Sequence, residues 1–376
     1  MINKGENSMQ GIAAVYTGAN KPLEIRRYPI LEPDIDEARL KLGISGICGT
    51  DLHILKGRLG IPGPLILGHE FIGSIDALNK ENAIDGLGQS IALGDNVIAC
   101  VAIPCGKCFS CQRGETASCL NFGVTYFKNP DIAPHFFGGY SDTLFSPLSN
   151  IVKIPIDINI EAVAAFPCAG PTIIRACAYA GDLEKDEIVV VQGTGAVGLF
   201  AIAWAKAAGC EVIAIGSGSS PKRMQLAESF GAETIIDYKT TTPEERIEIV
   251  KKKANEMNRG DGADVVIEAS GAPSAVPEGI NLLRTRGRYL IPGQYSSSGT
   301  VNISPEIITF RALQLIGSGQ FTLADIKTYL DFLSTHPELQ EKFASVITHR
   351  YTIDQAEMAM NAVDTGEVGK AVFINK

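Results

Sequence analysis

Hydrophobic and polar positions follow one another along this chain in two distinct styles. Over residues 11–160, short β-branched runs are separated by Gly, Pro and Asp, as in Arg39–Ile44, Phe71–Ile75, Asn96–Val101 and Ile151–Ile154. Short strands between turn signals predict an irregular, β-rich domain. Asn79–Ser90 interrupts it with a polar stretch and predicts an exposed loop. From about Gly170 the style changes. Ile188–Gln192, Glu211–Gly216, Thr234–Ile236, Val265–Glu268 and Arg288–Ile291 are apolar strands, with helical stretches such as Ala196–Ala208 and Lys222–Phe230 between them. That alternation predicts βαβ units and a parallel sheet. Leu323–Leu333 and Ile353–Val363 read as amphipathic helices, and Ala371–Ile374 as a last strand. Ile188–Ala205 carries no charge and approaches a membrane span in length. Gln192, Thr194 and its glycines instead suit a strand, a tight turn and a helix within a soluble core.

Composition narrows the class. The chain has 376 residues, 45% hydrophobic and 20% charged, which is globular and longer than one core usually fills. Its net charge of −9 is the wrong sign for holding a phosphate backbone, so nucleic acid is not the expected partner. Met1–Gln10 is polar, without the apolar run of a signal peptide, and a cytoplasmic protein without membrane attachment is expected. Nine cysteines do not pair off, and the chain is too long to be a small disulfide scaffold.

Four of those cysteines, Cys105, Cys108, Cys111 and Cys119, have the spacing C-x2-C-x2-C-x7-C. Thiolates this close surround one zinc tetrahedrally and leave no position open for chemistry. An iron–sulfur run would place the fourth cysteine three residues on, followed by proline. Here the gap is seven and Leu120 follows, so a structural zinc site is the reading.

Gly193, Thr194, Gly195, Ala196, Val197 and Gly198 form G-x-G-x-x-G after an apolar strand and before a helix. In that setting Gly193 makes the turn, Gly195 admits a pyrophosphate, and Gly198 lets helix and strand pack closely. The acid that would bind an adenosine ribose does not follow the next strand. Gly216 and Ser217 stand there instead, with Ser219, Lys222 and Arg223 beyond, and the first acid is Glu228. NAD and NADP both remain open, with a lean toward tolerance of the 2′-phosphate.

Gly46-Ile-Cys48-Gly-Thr50-Asp51-Leu-His53, then Gly68-His69-Glu70, then Pro167-Cys168-Ala169 supply a further set of polar and thiol residues. With the cysteine cage and the glycine turn, the whole resembles the zinc-dependent alcohol dehydrogenases of the medium-chain dehydrogenase/reductase family. The resemblance runs from about Ala13 to Lys376 and rests on GICGTDLH, LGHE, CGKCFSC and GTGAVG in the family's order.

The resemblance implies an α/β fold: a GroES-like β-barrel catalytic domain with an inserted Rossmann domain, a doubly wound parallel sheet. The expected divisions are 1–169, with a zinc lobe at about 100–122, then 170–317, then a segment 318–376 returning to the catalytic domain. Two zinc ions per chain are implied. Cys48, His69 and Cys168 match the ligands of the catalytic zinc, the last at a position that varies among Cys, Asp and Glu in the family. Glu70 matches an acid near that metal, and Asp51 the carboxylate that orients the ligand histidine. Thr50 and His53 match a relay that takes the alcohol proton while hydride passes to the nicotinamide. Gly271, Gly293 and Lys370 resemble positions bordering the cofactor, the last at its pyrophosphate. A small alcohol or carbonyl substrate and a homodimer or homotetramer are the implied partners. Phe122, Tyr126, Phe127, Phe136, Phe137 and Tyr140, with His135 among them, concentrate aromatics near the family's substrate pocket. They favour an apolar or aromatic alcohol over a polyol, sugar or amino alcohol. A zinc-free quinone or enone reductase would lack the complete ligand set. A zinc-stabilised binding protein would not need the relay. Cys100, Cys177 and Cys210 fall outside every motif and read as core residues.

Overall fold

The computed structural model describes residues 9–100, 102–121, 123–294, 296–366 and 368–375. Most of the polar N-terminal tail, Val101 and Phe122 lie outside them. The chain forms two compact units, Met1–Pro167 with Thr322–Lys376, and Cys168–Phe321.

In the first unit the strand Glu37–Gly46 is central. It pairs along one side with Phe71–Leu78. Its other side is shared, because Thr143–Pro147 takes the N-terminal half and Lys370–Ile374 the C-terminal end. The last strand of the chain is thus an inner strand of a seven-stranded sheet. A three-stranded sheet, Glu24–Pro29, Gln10–Tyr16 and Leu65–Ile66, packs with it around a core that includes Val15, Leu40, Phe71, Phe145 and Phe373. The returning segment is fastened by hydrogen bonds as well as by burial. The Tyr329 hydroxyl donates to the Ala162 and Val163 carbonyls at 2.9 and 3.1 Å. Gln340 Oε1 accepts from the Asn159 amide at 2.8 Å.

The second unit is a six-stranded parallel sheet in the order Thr234–Asp237, Glu211–Gly216, Ile188–Gln192, Ala263–Glu268, Leu283–Ile291, Gln314–Gly317. The two inner strands are buried at every position, which is why Ile188–Val191 and Val265–Ile267 read as continuous apolar runs. The expected doubly wound sheet is therefore present. The uncharged run from Ile188 divides into a strand ending at Gln192 and a helix Ala196–Ala207. Among the described residues no helix is long and apolar enough to cross a membrane.

Two parts of the structure add to the sequence reading. Pro243–Glu256 is a helix that its charge-rich sequence conceals, started by Thr242 and Glu245 bonding to each other's backbone. The Asn79–Ser90 loop is mostly exposed, but Asp85 turns inward. Its carboxylate accepts from the amides of Leu87, Gln89 and Lys153 and so ties the loop to the sheet.

At the opposite end of the parallel strands from the glycine turn, the buried Asp264 accepts from the Ile188 amide, Arg259 and Arg284. Burial alone would raise its pKa; the Arg259 bond, the amide and Arg284 together hold it below the usual carboxylate value. Its contribution to stability is therefore present above the ordinary carboxylate pKa and lost as pH falls through the depressed one. Asp264→Asn should be less stable than the parent at neutral pH, with the two converging in acid, when denaturant midpoints are measured across pH.

Candidate active site and metal centres

The cage cysteines come together in the structure. The sulfurs of Cys105, Cys108, Cys111 and Cys119 all lie within 4.8 Å of one another. Gly106 and Gly114 take left-handed turns, at φ +71° and +81°, that fold the loop back on itself. The amides of Cys105 and Asn121 point at the Cys119 sulfur from 3.3 and 3.4 Å. Cys108 and Cys119 sulfurs are 3.8 Å apart. A tetrahedron with zinc–sulfur bonds of about 2.3 Å has edges of about 3.8 Å. By themselves the four thiols compete. Cys108 is drawn down to about 6, first by the amide of Cys111 and then by that of Leu120. Cys111 is pushed up to about 12, first by burial and then by the sulfurs of Cys108 and Cys119. A dication at the centre removes that conflict, so the residues fit a structural metal.

The second group is Cys48, His69, Glu70 and Cys168, whose ligand atoms also lie within 4.8 Å of one another. Cys48 precedes the helix Gly49–Leu55, and Asp51 in its first turn bonds back to the Cys48 amide at 3.0 Å. The other Asp51 oxygen is 3.4 Å from His69 Nδ1. With Nδ1 turned to Asp51, Nε2 is the nitrogen left for a metal, as the expected orienting role of Asp51 requires. Glu70 is fully buried, and Lys370 bonds to it. Burial pushes Glu70 up to about 6 against the pull of the Lys370 ammonium. A Cβ on Gly46 would sit 1.9 Å from the Glu70 carboxylate, so only glycine leaves room for that pair. Two thiols, an imidazole and a carboxylate are a donor set suited to zinc.

Lys370, which by resemblance matches a position at the cofactor pyrophosphate, is paired in this structure with Glu70. It is 4% exposed, and its ammonium is committed to Glu70 within the first unit, where burial of both charges demands a partner.

Thr50 and His53 occupy the same short helix. The Thr50 hydroxyl lies 3.8 Å from the Cys48 sulfur. His53 is half-buried, and its Nδ1 accepts from Arg58 at 3.3 Å. Burial first, and then the Arg58 charge, hold the His53 pKa below its ordinary value.

The glycine turn is built as its spacing requires. Gly193 has φ +112°, and a Cβ there would strike the Ala269 backbone at 2.9 Å. A Cβ on Gly198 would lie 1.9 Å from the Gly193 carbonyl, whereas the space beside Gly195 is open. The helix beginning at Ala196 has no side-chain cap, so its first amides face that opening. Val197 continues this first turn, and the buried Thr194 lies against Gly216. Gly271 and Gly293 meet each other: a Cβ on the first would be 3.1 Å from the carbonyl of the second. These features fit a dinucleotide pyrophosphate.

The sequence matches two family descriptions, the alcohol dehydrogenase GroES-like domain over residues 34–156 and the zinc-binding dehydrogenase over residues 196–335. It is 36% identical over 367 residues to 5-exo-hydroxycamphor dehydrogenase of Pseudomonas putida, covering 96% of this chain and 98% of that one. The chain belongs to the zinc-dependent alcohol dehydrogenases of the medium-chain dehydrogenase/reductase family. An alcohol dehydrogenase from Thermotoga maritima has the same fold at a TM-score of 0.89 and 26% identity, over 98% of this chain and 100% of that one. A zinc-binding dehydrogenase from Sinorhizobium meliloti 1021, bound to NADP, matches at a TM-score of 0.80 and 26% identity, again over 98% and 100%.

Within this dehydrogenase the structure adds residues that the motifs do not contain. Asp237, at the end of the strand beside Glu211–Gly216, accepts from the amides of Gly218 and Lys239. Lys239 Nζ in turn donates to Ser219 at 2.6 Å. An acid and a further cation thus reach the loop after Gly216 from a neighbouring strand, alongside the exposed Lys222 and the half-buried Arg223. Glu268 accepts from the Ser270 and Gly271 amides and so fixes the turn that carries Gly271. Strand register was the only signal available for either acid.

The aromatic run does not form one lining. Phe136 and Tyr140 belong to the core, Phe137 is buried beside Lys128, and His135 stacks on Tyr28. Tyr126 is a ring near the metal group, 6.5 Å from His69, with Phe127 edge-on against it and half exposed. Cys100, Cys177 and Cys210 are buried, and burial first pushes their thiols up to about 11, 12 and 12. They are core residues, as read.

Replacing Cys111 by Ser should cost the cage its metal while the Cys48 group keeps its own. Metal content should fall by one zinc per chain and the melting temperature should drop, both measured on the purified variant.

Proposed function

We propose that this dehydrogenase oxidises an apolar alcohol to its carbonyl compound, reversibly, with zinc and either NAD or NADP. The observation that carries the proposal is the convergence of Cys48, His69, Glu70 and Cys168 with Asp51 behind the histidine. Tyr126 and Phe127 give the neighbourhood of His69 an aromatic surface. The relative from Pseudomonas putida is named for hydroxycamphor, an apolar cyclic alcohol, and supports the same choice. Tolerance of NADP is supported by Lys222, Arg223 and Lys239 around the loop after Gly216, and by the NADP-bound neighbour.

A zinc ion held by Cys48, His69 and Cys168 supplies a Lewis acid that stabilises negative charge on a substrate oxygen. A nicotinamide cofactor held at Gly193–Gly198 supplies the hydride acceptor. The chain's own residues do the rest. The thiolates of Cys48 and Cys168 balance a dication, and Asp51 keeps the His69 proton on Nδ1 and its ring in place. The Thr50 hydroxyl, beside Cys48, accepts the alcohol proton as it passes its own onward. His53, neutral at pH 7 because its pKa lies below the ordinary value, provides a base to receive it. Glu70 adds a buried carboxylate to the ligand set, held by Lys370.

Two measurements test this reading. NAD- and NADP-linked oxidation of primary, secondary, cyclic, aromatic and polyhydroxy alcohols should show turnover with apolar alcohols and little with polyols; His69→Ala should abolish it and remove one zinc per chain while the cage stays filled. Turnover that persists after that zinc is lost would remove the metal from the reaction. The relay has a pH signature. Arg58 lowers the His53 pKa, so Arg58→Ala should raise it. The acid limb of kcat/KM for alcohol oxidation should then move to higher pH, with the plateau little changed.

A further inference from the structure

Tyr140 is not one of the motif ligands, yet its phenol sits inside the metal centre's support. The residue is fully buried. Its backbone brackets the approach to His69, because the Tyr140 amide donates to the Leu67 carbonyl and its own carbonyl accepts from Ala14, both at 2.8 Å. Its ring lies directly on Gly68, where a Cβ would be only 2.6 Å from the ring edge. Gly68 has φ +94°, so glycine is required there both for conformation and for room. Phe373 closes the other side edge-on, with ring centres 4.9 Å apart. A ring held this firmly places its hydroxyl at a fixed point.

That point faces Asp51. The Tyr140 phenol is held well above its ordinary pKa first by burial, then by the charge and hydrogen bonding of the Asp51 carboxylate, and less by the charges of Cys48 and Glu70. Asp51 has one oxygen engaged by the Cys48 amide. Its second oxygen and the Tyr140 hydroxyl are both buried, and neither makes an aligned hydrogen bond in this geometry. The second oxygen is also the one 3.4 Å from His69 Nδ1. Burial and the neighbouring carboxylate keep the phenol protonated, so toward Asp51 it can only donate. A buried hydroxyl beside a buried carboxylate gains a charge-assisted bond from a small rotation of either group.

We propose that Tyr140 is a positioning residue of the metal centre: its hydroxyl donates to Asp51 and, through that carboxylate, fixes the orientation and tautomer of His69. The proposal rests on the metal reading of the Cys48 group. Tyr140 touches neither substrate nor cofactor in this role. It holds the acid that holds the ligand, and a loose Asp51 would let the imidazole swing. Partners of metal-ligating histidines carry about 10–100-fold in metal affinity, and a group one bond further out falls at the low end.

The experiment follows zinc leaving the full-length protein for a colorimetric chelator, alongside kcat/KM against pH. The phase belonging to the Cys48 group is the one missing in His69→Ala. Tyr140→Phe, which keeps the ring, should speed that phase roughly tenfold and leave the cage phase unchanged. In an Asp51→Asn background the same substitution should add nothing further, because Tyr140 acts only through Asp51. Phe373→Leu loosens the ring but keeps the hydroxyl, and should speed release much less than Tyr140→Phe does. Parent-like release from Tyr140→Phe, an undiminished effect in the Asp51→Asn background, or equal loss from Phe373→Leu would each overturn the proposal and reduce Tyr140 to packing. A parent protein holding zinc in the cage alone would instead overturn the metal reading beneath it.

Discussion

The carboxylate of Asp51 is the constraint on which the metal centre depends. One oxygen accepts from the Cys48 amide and so fixes where the helix Gly49–Leu55 begins. The other faces the imidazole of His69, which precedes the strand Phe71–Leu78. A single buried anion therefore sets a thiol from one element against a nitrogen from another. The charge is tolerable in the interior because the Cys48 amide and the His69 imidazole converge on it, and a dication beside His69 would add to them. Thr50 and His53 ride on the same helix, so their placement relative to the metal group follows from the same anchor.

The two metal groups obtain their geometry by opposite routes. The cage is local: Cys105 and Cys119 are 14 residues apart, and left-handed glycines turn the loop so that its sulfurs converge. Cys48 and the adjacent pair His69 and Glu70 come from separate segments whose arrangement is set by sheet register, and Lys370 joins Glu70 from 300 residues away. Local geometry yields a closed tetrahedron of one donor type. Long-range geometry admits mixed donors and a carboxylate whose counter-charge is supplied separately.

That contrast explains what the sequence could and could not reveal. Ile188–Gln192 and Glu211–Gly216 are legible to the residue because buried parallel strands are uninterrupted apolar runs. The cage and the glycine turn are legible because their function lies in spacing along one short segment. The partner of Lys370 is not legible, since nothing in Gly369-Lys370 distinguishes a phosphate from a buried carboxylate. Asp237 stands too far along the chain to read as part of the Gly216 loop, although strand register brings it there. The aromatic run from Tyr126 to Tyr140 looks like one surface in sequence. Its members instead divide between the core and the metal group, because the segment turns repeatedly and aims successive rings in different directions. The helix Pro243–Glu256 hides behind its charges and declares itself only through Thr242 and Glu245.

The placement of the last strand bears on how the protein is made. Lys370–Ile374 lies inside the sheet of the first unit, beside a strand that ends at Gly46. A ribosome therefore exposes the whole parallel-sheet unit before it has supplied the neighbour that Ser45 and Gly46 await. Until Lys370–Ile374 emerges, Ser45 and Gly46 lack their strand neighbour, and Glu70 lacks the cation that pairs with it in the interior. The pairing of Glu70 with Lys370 is thus completed only after the whole parallel-sheet unit has been synthesised.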